Sequence, residues 1–246
     1  MKNLIYGIAA LAAASGLRAQ TSIPDISVTS DFTYASEYVF RGVKQAGNSF
    51  QPSVEITSGG FNAGLWTNEA VTKHENNEVD VYAGYDYKVN SALKLEGVVT
   101  SYNYFEAGGG QTQDTWEVGV GATYTVSGFS PSLYLYHDFR RQADIAVAAV
   151  GYSIPLEAIG ASLDTNIYGG SVSARDALPD AAGPDRKNAY TYYGLDLTIP
   201  YKLSKNATFS LGGHYAVNRN AAGIDTPLGI VSNRSTWFTA GVSIGF

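Results

Sequence analysis

Cysteine is missing from the 246 residues, and methionine occurs once. Without a thiol there is no disulfide, no thiolate metal site and no lipid-modified N-terminal cysteine, while redox compartment stays open. Charge is scarce: Asp, Glu, Lys and Arg make up 15% of the chain, although hydrophobic residues reach 45%. Soluble domains carry about a quarter charged residues. The net charge of −6 leaves no basic surface for phosphate backbones, so nucleic acid is not an expected partner. Long apolar runs are also lacking. Leu4–Leu17 is too short for a membrane-spanning helix, and the next longest stretch, Ile145–Ile154, is interrupted by Gly151 and Ser153. Lys2 ahead of Leu4–Leu17 instead reads as a signal peptide, residues 1–19, with cleavage expected after Ala19 and a mature chain of 20–246.

Glycine (27) and tyrosine (18) are what the chain has in abundance. Tyrosine suits a site where the ring lies in apolar surroundings and the hydroxyl reaches water. The dominant pattern is a period of two, in which successive side chains point to opposite faces of a strand. Val79, Val81, Ala83, Tyr85, Tyr87 and Val89 oppose Glu78, Asp80, Tyr82, Gly84, Asp86 and Lys88. Trp116, Val118, Val120, Ala122 and Tyr124 oppose Glu117, Gly119, Gly121 and Thr123. The first alternation runs from Val28 through Phe32, Tyr34 and Tyr38 to Phe40. Only around Val98-Val99 do apolar residues fall on both faces, which a bulge would reconcile.

At the C-terminus, Phe238, Ala240, Val242, Ile244 and Phe246 alternate with Thr239, Gly241, Ser243 and Gly245. A last strand closing on Phe246 looks like the assembly signal of bacterial outer-membrane barrels, which makes the barrel-assembly machinery an expected partner. About twelve strands can be counted. Their links alternate between short (Gly59-Gly60, Asn90-Ser91, Ser127–Ser130, Pro155–Gly160, Tyr201–Lys205) and longer (Arg41–Ser49, Asn68–Asn77, Glu106–Asp114, Ser171–Asn188, Arg219–Arg234). The link near Arg140-Arg141 alone breaks the rule. Short turns on one rim and long loops on the other are the pattern of an outer-membrane barrel. A soluble sandwich also alternates, but its exposed face would be charged. Here that face is Gly, Thr, Ser and Tyr, and aromatics (Tyr38, Phe40, Phe50, Trp116, Phe139, Phe246) stand near strand ends as interfacial girdles would. The expected fold is all-β: a transmembrane antiparallel up-and-down barrel in the bacterial outer membrane, surrounded by lipid and lipopolysaccharide.

Twelve strands about 4.8 Å apart imply a backbone diameter of roughly 24 Å. Tyr82, Tyr102, Tyr104, Tyr134, Tyr136, Tyr168 and Tyr192 are expected to point inward and narrow it. Asp31, Glu37, Glu55, Glu78, Asp80, Asp86, Glu96, Glu117, Asp138, Asp164 and Asp196 are expected on the same face, against Lys88, Lys94 and Arg140. An acidic lining favours cations. The expectation is a narrow, cation-preferring diffusion channel for small hydrophilic solutes, with a non-conducting structural or adhesive barrel as the alternative.

Tyr38-Val39-Phe40-Arg41-Gly42, then Gln45, Gly60-Phe61-Asn62-Ala63-Gly64-Leu65-Trp66 and Glu78-Val79-Asp80-Val81-Tyr82-Ala83-Gly84-Tyr85 resemble the TorF family of porins, with Trp116-Glu117-Val118 a looser match. These blocks cover about a third of the mature chain; Glu55 stands where the family pattern has Gln. The resemblance implies an outer-membrane barrel and passive transport, and it brings no catalytic residues.

An outer-membrane barrel enzyme is the third, least favoured alternative, because no catalytic or cofactor site stands out in the chain. A hydrolytic centre needs a base beside a nucleophile, and there are three histidines. His137 and Asp138 are neighbours on a strand and so point apart. His214 lies on the polar face with Gly212 and Ala216, without an expected serine partner. His74 with Glu75 and Glu78 reads as solvated loop charge before it reads as a metal site. Gly108–Gly110 reads as a loop tip; Asp176, Asp180 and Asp185 could hold Ca²⁺ or bridge to lipopolysaccharide, but Pro179, Pro184 and the alanines around them favour a mobile loop. Arg41 is the candidate for the outer rim, reaching lipopolysaccharide phosphates or acidic lumen groups; an internal ion pair that fixes the first long loop is the slightly preferred alternative.

Overall fold

The computed structural model describes residues 25–72, 77–105, 114–175, 187–219, 221 and 232–246. The expected signal segment 1–19 lies outside them. Among the described residues fourteen strands follow one another: β1 Ile26–Ala35, β2 Tyr38–Phe40, β3 Val43–Ala46, β4 Ser49–Ser58, β5 Phe61–Ala70, β6 Asn77–Lys88, β7 Leu93–Phe105, β8 Thr115–Tyr124, β9 Phe129–Asp138, β10 Ala143–Leu156, β11 Ala161–Arg175, β12 Lys187–Lys202, β13 Ala207–Arg219 and β14 Arg234–Gly245. Twelve of them form one closed antiparallel barrel, in which β1 pairs with β14 on one side and β4 on the other. β2 and β3 form a separate two-stranded hairpin.

Alternation dictates what each face meets. Along β6, Glu78, Asp80 and Tyr82 are buried while Val81, Ala83 and Tyr85 are exposed. On β8, β9 and β12, Glu117, Tyr134, Tyr136, Tyr192 and Asp196 are buried, whereas Val120, Leu133, Leu135 and Leu195 are exposed. A chain that hides carboxylates and displays leucine is inside out with respect to water, as a transmembrane barrel is. Closure satisfies the backbone groups that lipid cannot. Stacked aromatic pairs mark both ends of the outer wall: Trp116 with Phe139 (3.8 Å between centroids) at the long-loop end, and Phe129 with Tyr152 (4.4 Å) at the short-turn end. At the seam, Phe246 exchanges backbone hydrogen bonds with Val28 (2.8 and 3.2 Å).

Tyrosine and glycine are abundant for one shared reason. Five inward tyrosines each sit directly across from a glycine on the neighbouring strand: Tyr82 and Gly64, Tyr136 and Gly119, Tyr134 and Gly121, Tyr168 and Gly194, Tyr192 and Gly170. A Cβ built on Gly121 would lie 2.1 Å from a Tyr134 ring carbon, and one on Gly119 2.3 Å from Tyr136. Each ring therefore lies flat across its glycine, against the wall. These rings narrow the lumen less than side chains pointing at the axis would.

Three local expectations are corrected. The first wall strand ends at Ala35, and Tyr38 and Phe40 belong to the β2–β3 hairpin rather than to an outer girdle. β7 keeps unbroken register with β6 and β8 through Val98-Val99, so no bulge is present; Val99 faces outward and Val98 packs inward against buried aromatics. β10 runs through Pro155 to Leu156 before a 3-10 turn at Glu157–Ile159.

A closed barrel of this kind resists detergent until heated. Unheated and boiled samples should therefore migrate differently on a denaturing gel. Identical migration, with recovery in the soluble periplasmic fraction, would reject the transmembrane fold.

Candidate functional site in the barrel lumen

Residues 36–48 leave the wall between β1 and β4 and turn into the lumen. The hairpin reverses at Arg41-Gly42, both with positive φ (49° and 75°), as a two-residue hairpin turn of this twist demands. Glycine takes that conformation without strain, but arginine rarely does. The Arg41 side chain supplies the compensation. Its guanidinium donates two hydrogen bonds to Glu117 on β8, 2.8 Å to Oε2 and 2.9 Å to Oε1, and its carbon lies 5.0 Å from the centre of the Tyr136 ring and 4.6 Å from that of Phe40. The Tyr102 hydroxyl donates to Glu117 Oε1 at 3.2 Å. Glu117 is 0% exposed. Burial works against the charge of Arg41, but Glu117 more than offsets it and holds the guanidinium pKa well above its usual value.

Further contacts spread the hairpin across the barrel. The Tyr38 hydroxyl donates to Glu78 (2.8 Å) and its ring packs on Trp66 (5.4 Å). Phe40 meets Tyr102, and Asn218 Nδ2 donates to the Gly42 carbonyl at 2.7 Å. Val43 enters an apolar cluster with Tyr134, Tyr136, Ala143, Ile145, Val147, Tyr190 and Tyr192. The inward Ile145 and Val147 have no counterpart in the sequence pattern, because β10 is apolar on both faces. Arg41 thus lies inside the lumen and not at the outer rim, in the ion pair that fixes the first long loop.

The acidic candidates occupy distinct settings. Asp31 accepts from Thr33 (2.6 Å), Glu55 from the Tyr82 hydroxyl (2.9 Å) and Asp164 from Ser153 (2.6 Å). Lys94 bridges Asp86 (3.2 Å) and Glu96 (2.9 Å), and Glu96 also accepts from Thr123 and Tyr134. Asp80 is buried on the inner face beside the row of Glu78 and Tyr82. Two candidates belong to loops rather than to the barrel wall. Glu37 precedes β2 and pairs with Lys44 at 2.8 Å. Arg140 sits in the turn after β9 and donates to the Asp114 carbonyl at 2.9 Å. Asp138 caps that same turn, accepting from the backbone N–H of Arg140 (3.0 Å) and Arg141 (2.8 Å) and from Thr115 (2.6 Å), which explains how so short a link holds on the long-loop rim.

His214 does have a hydroxyl partner. Its Nε2 is 2.9 Å from Thr239 Oγ1 and its Nδ1 2.9 Å from Asp196 Oδ1, with Trp237 stacked on the ring. Sequence distance concealed this, since three strands supply it. The connectivity matches nucleophile, base and orienter, and Thr239 is paired on both sides, with Gly212 and Ala35. His74, Glu75, Gly108–Gly110, Asp176, Asp180 and Asp185 lie outside the described residues.

The family model described as "Bacterial protein of unknown function (Gcw_chp)" matches residues 19–208. The chain belongs to the Gcw_chp family. No curated protein matches it in sequence. Among solved structures, this Gcw_chp chain is similar to the KdgM porin (14% identity, 89% of this chain and 99% of that one, TM-score 0.53). It is similar also to the NanC porin (12% identity, 88% and 98%, TM-score 0.54). KdgM in complex with disordered oligogalacturonate superposes in the same way (13% identity, 89% and 99%, TM-score 0.51). At such identities the likeness is one of fold, that of an outer-membrane barrel.

Proposed function

We propose that the chain is an outer-membrane diffusion channel for small hydrophilic solutes, narrowed by its own first long loop and selective for cations. The observation that carries this is the hairpin anchored by Arg41–Glu117 inside a barrel whose inner face is acidic. Asp31, Glu55 and Asp164 are held by neutral hydroxyl donors, which keep the carboxylates in place without cancelling their charge. Carboxylates along a confined aqueous path raise the local cation concentration and repel anions. An anionic sugar polymer such as the oligogalacturonate bound by KdgM is a poor match for this lining. The porin-like fold and the resemblance to the TorF family support the channel, while the cation preference rests on the acidic lining alone. Lipopolysaccharide and lipid would face the apolar wall, and the barrel-assembly machinery would read Phe246.

Reversal potential under a KCl gradient tests the selectivity. The native channel should prefer K⁺, and Glu55→Gln with Asp164→Asn should weaken that preference. Anion preference in the native protein would overturn the electrostatic reading. One observation favours a second function: the hairpin packs into an apolar cluster as a core element does. A barrel that conducts nothing in planar bilayers would be that plugged, structural form.

A further inference from the structure

The Arg41 side chain fills a site on the lumen wall that is built like a receptor for a planar cation. The wall supplies every component from elsewhere in the chain. Glu117, fully buried, faces the guanidinium with both oxygens, at 2.8 and 2.9 Å. Tyr102 fixes that carboxylate through its hydroxyl. The Tyr136 ring, laid flat over Gly119, gives the cation a π-face at 5.0 Å. The Tyr192 hydroxyl close by is buried and has no hydrogen-bond partner among the described residues. A two-oxygen acceptor beside an aromatic face selects a guanidinium over a compact ammonium, because the planar fork satisfies both at once. The occupant comes from a short hairpin of three paired positions with one register shift, carried on a turn that arginine adopts under strain.

We infer that the Glu117–Tyr102–Tyr136 pocket is a binding subsite for solutes bearing a guanidinium or similar planar cation, which Arg41 occupies as a tethered stand-in. This deepens the channel reading and rests on it for its role: a permeating cation of this class would compete with Arg41, so that the solute itself frees the constriction. Affinity for the cation, however, can be measured without any conductance.

The test is chemical rescue of the refolded Arg41→Ala barrel in detergent, with guanidinium chloride at millimolar, non-denaturing concentration as the probe. The readout is the temperature at which the heat-modified band appears. A ligand that binds the folded state raises that midpoint with the logarithm of its concentration. Guanidinium should do so for Arg41→Ala, while urea, its neutral counterpart in shape, and KCl should not. The effect should vanish in Arg41→Ala/Glu117→Gln. Should Arg41→Ala fail to refold, Arg41→Met keeps the side-chain stem but leaves Glu117 without a cation, and the same guanidinium-specific rise is expected. Equal action of urea or KCl, persistence of the rise without Glu117, or no rise in a folded variant would each overturn the subsite. A rise in a barrel that never conducts would retain the subsite and reject the channel.

Discussion

Arg41→Ala is expected to raise single-channel conductance and lower the thermal stability of the barrel together. The substitution removes both hydrogen bonds to Glu117 and leaves a fully buried carboxylate without its counter-charge. Breaking one side of a buried ion pair in this way costs about 3–5 kcal/mol. The hairpin also loses one of its two tip anchors, leaving Asn218 on the Gly42 carbonyl and Tyr38 at the start of β2. Glu117→Gln should act in the same direction by stranding the guanidinium. Combining the two removes both charges, so the double variant should recover part of the stability yet keep the larger conductance. Planar-bilayer recordings beside heat-shift gels would show this. Stability lost with conductance unchanged would mean that the hairpin does not set the width of the path.

Gly121→Val should be among the most damaging single changes in the wall. A Cβ at this position would come within 2.1 Å of the Tyr134 ring, and two further ring atoms lie within 3 Å. The ring must swing off the wall, which also breaks its hydrogen bond to Glu96. Overpacking of this kind costs roughly 1–3 kcal/mol before the hydrogen bond is counted. Adding Tyr134→Ala should relieve the clash, so the double variant should be more stable than the two single effects sum to. Gly213→Ala is the control, because a Cβ there meets nothing within 4 Å. Equal unfolding midpoints for Gly121→Val and Gly213→Ala would refute the flat-ring packing.

The barrel was legible because period-two alternation survives in both of its environments: Val81 and Tyr82 report lipid and lumen by chemistry alone. The flat tyrosines were legible only as a composition, since which glycine each ring covers depends on register between strands. The inward hairpin escaped for a different reason. Tyr38-Val39-Phe40 carries the same alternation in the lumen as β1 carries in the wall, so the pattern resumes past Ala35 with only Ser36 to mark the departure. Apolar residues at a girdle and apolar residues under a folded-in loop look alike in one dimension. The blocks behind the family resemblance nevertheless meet in space: Tyr38 and Arg41 of the first touch Trp66, Glu78 and Glu117 of the others. The relay of Asp196, His214 and Thr239 spans three strands and leaves no local trace.

β1 and β4 are neighbours in the wall, and Ala35 stands opposite Ser49 in their register. Both ends of the inward segment therefore depart from a single rung, like a flap sewn along one short edge. Its two hinge residues are tied to the wall, Ser36 N–H to the Phe238 carbonyl (3.0 Å) and the Asn48 carbonyl to the Val71 N–H (2.8 Å), so a pivot falls inside them, between Glu37 and Gly47. Opening then gives up side-chain contacts on its free face, the apolar cluster around Val43 among them, while the strand pairing of the membrane-spanning wall need not change. The cylinder can be as rigid as lipid demands while the aperture answers to the contacts of one hairpin, the Arg41–Glu117 pair, the Tyr38 and Asn218 hydrogen bonds and the packing of Val43 together.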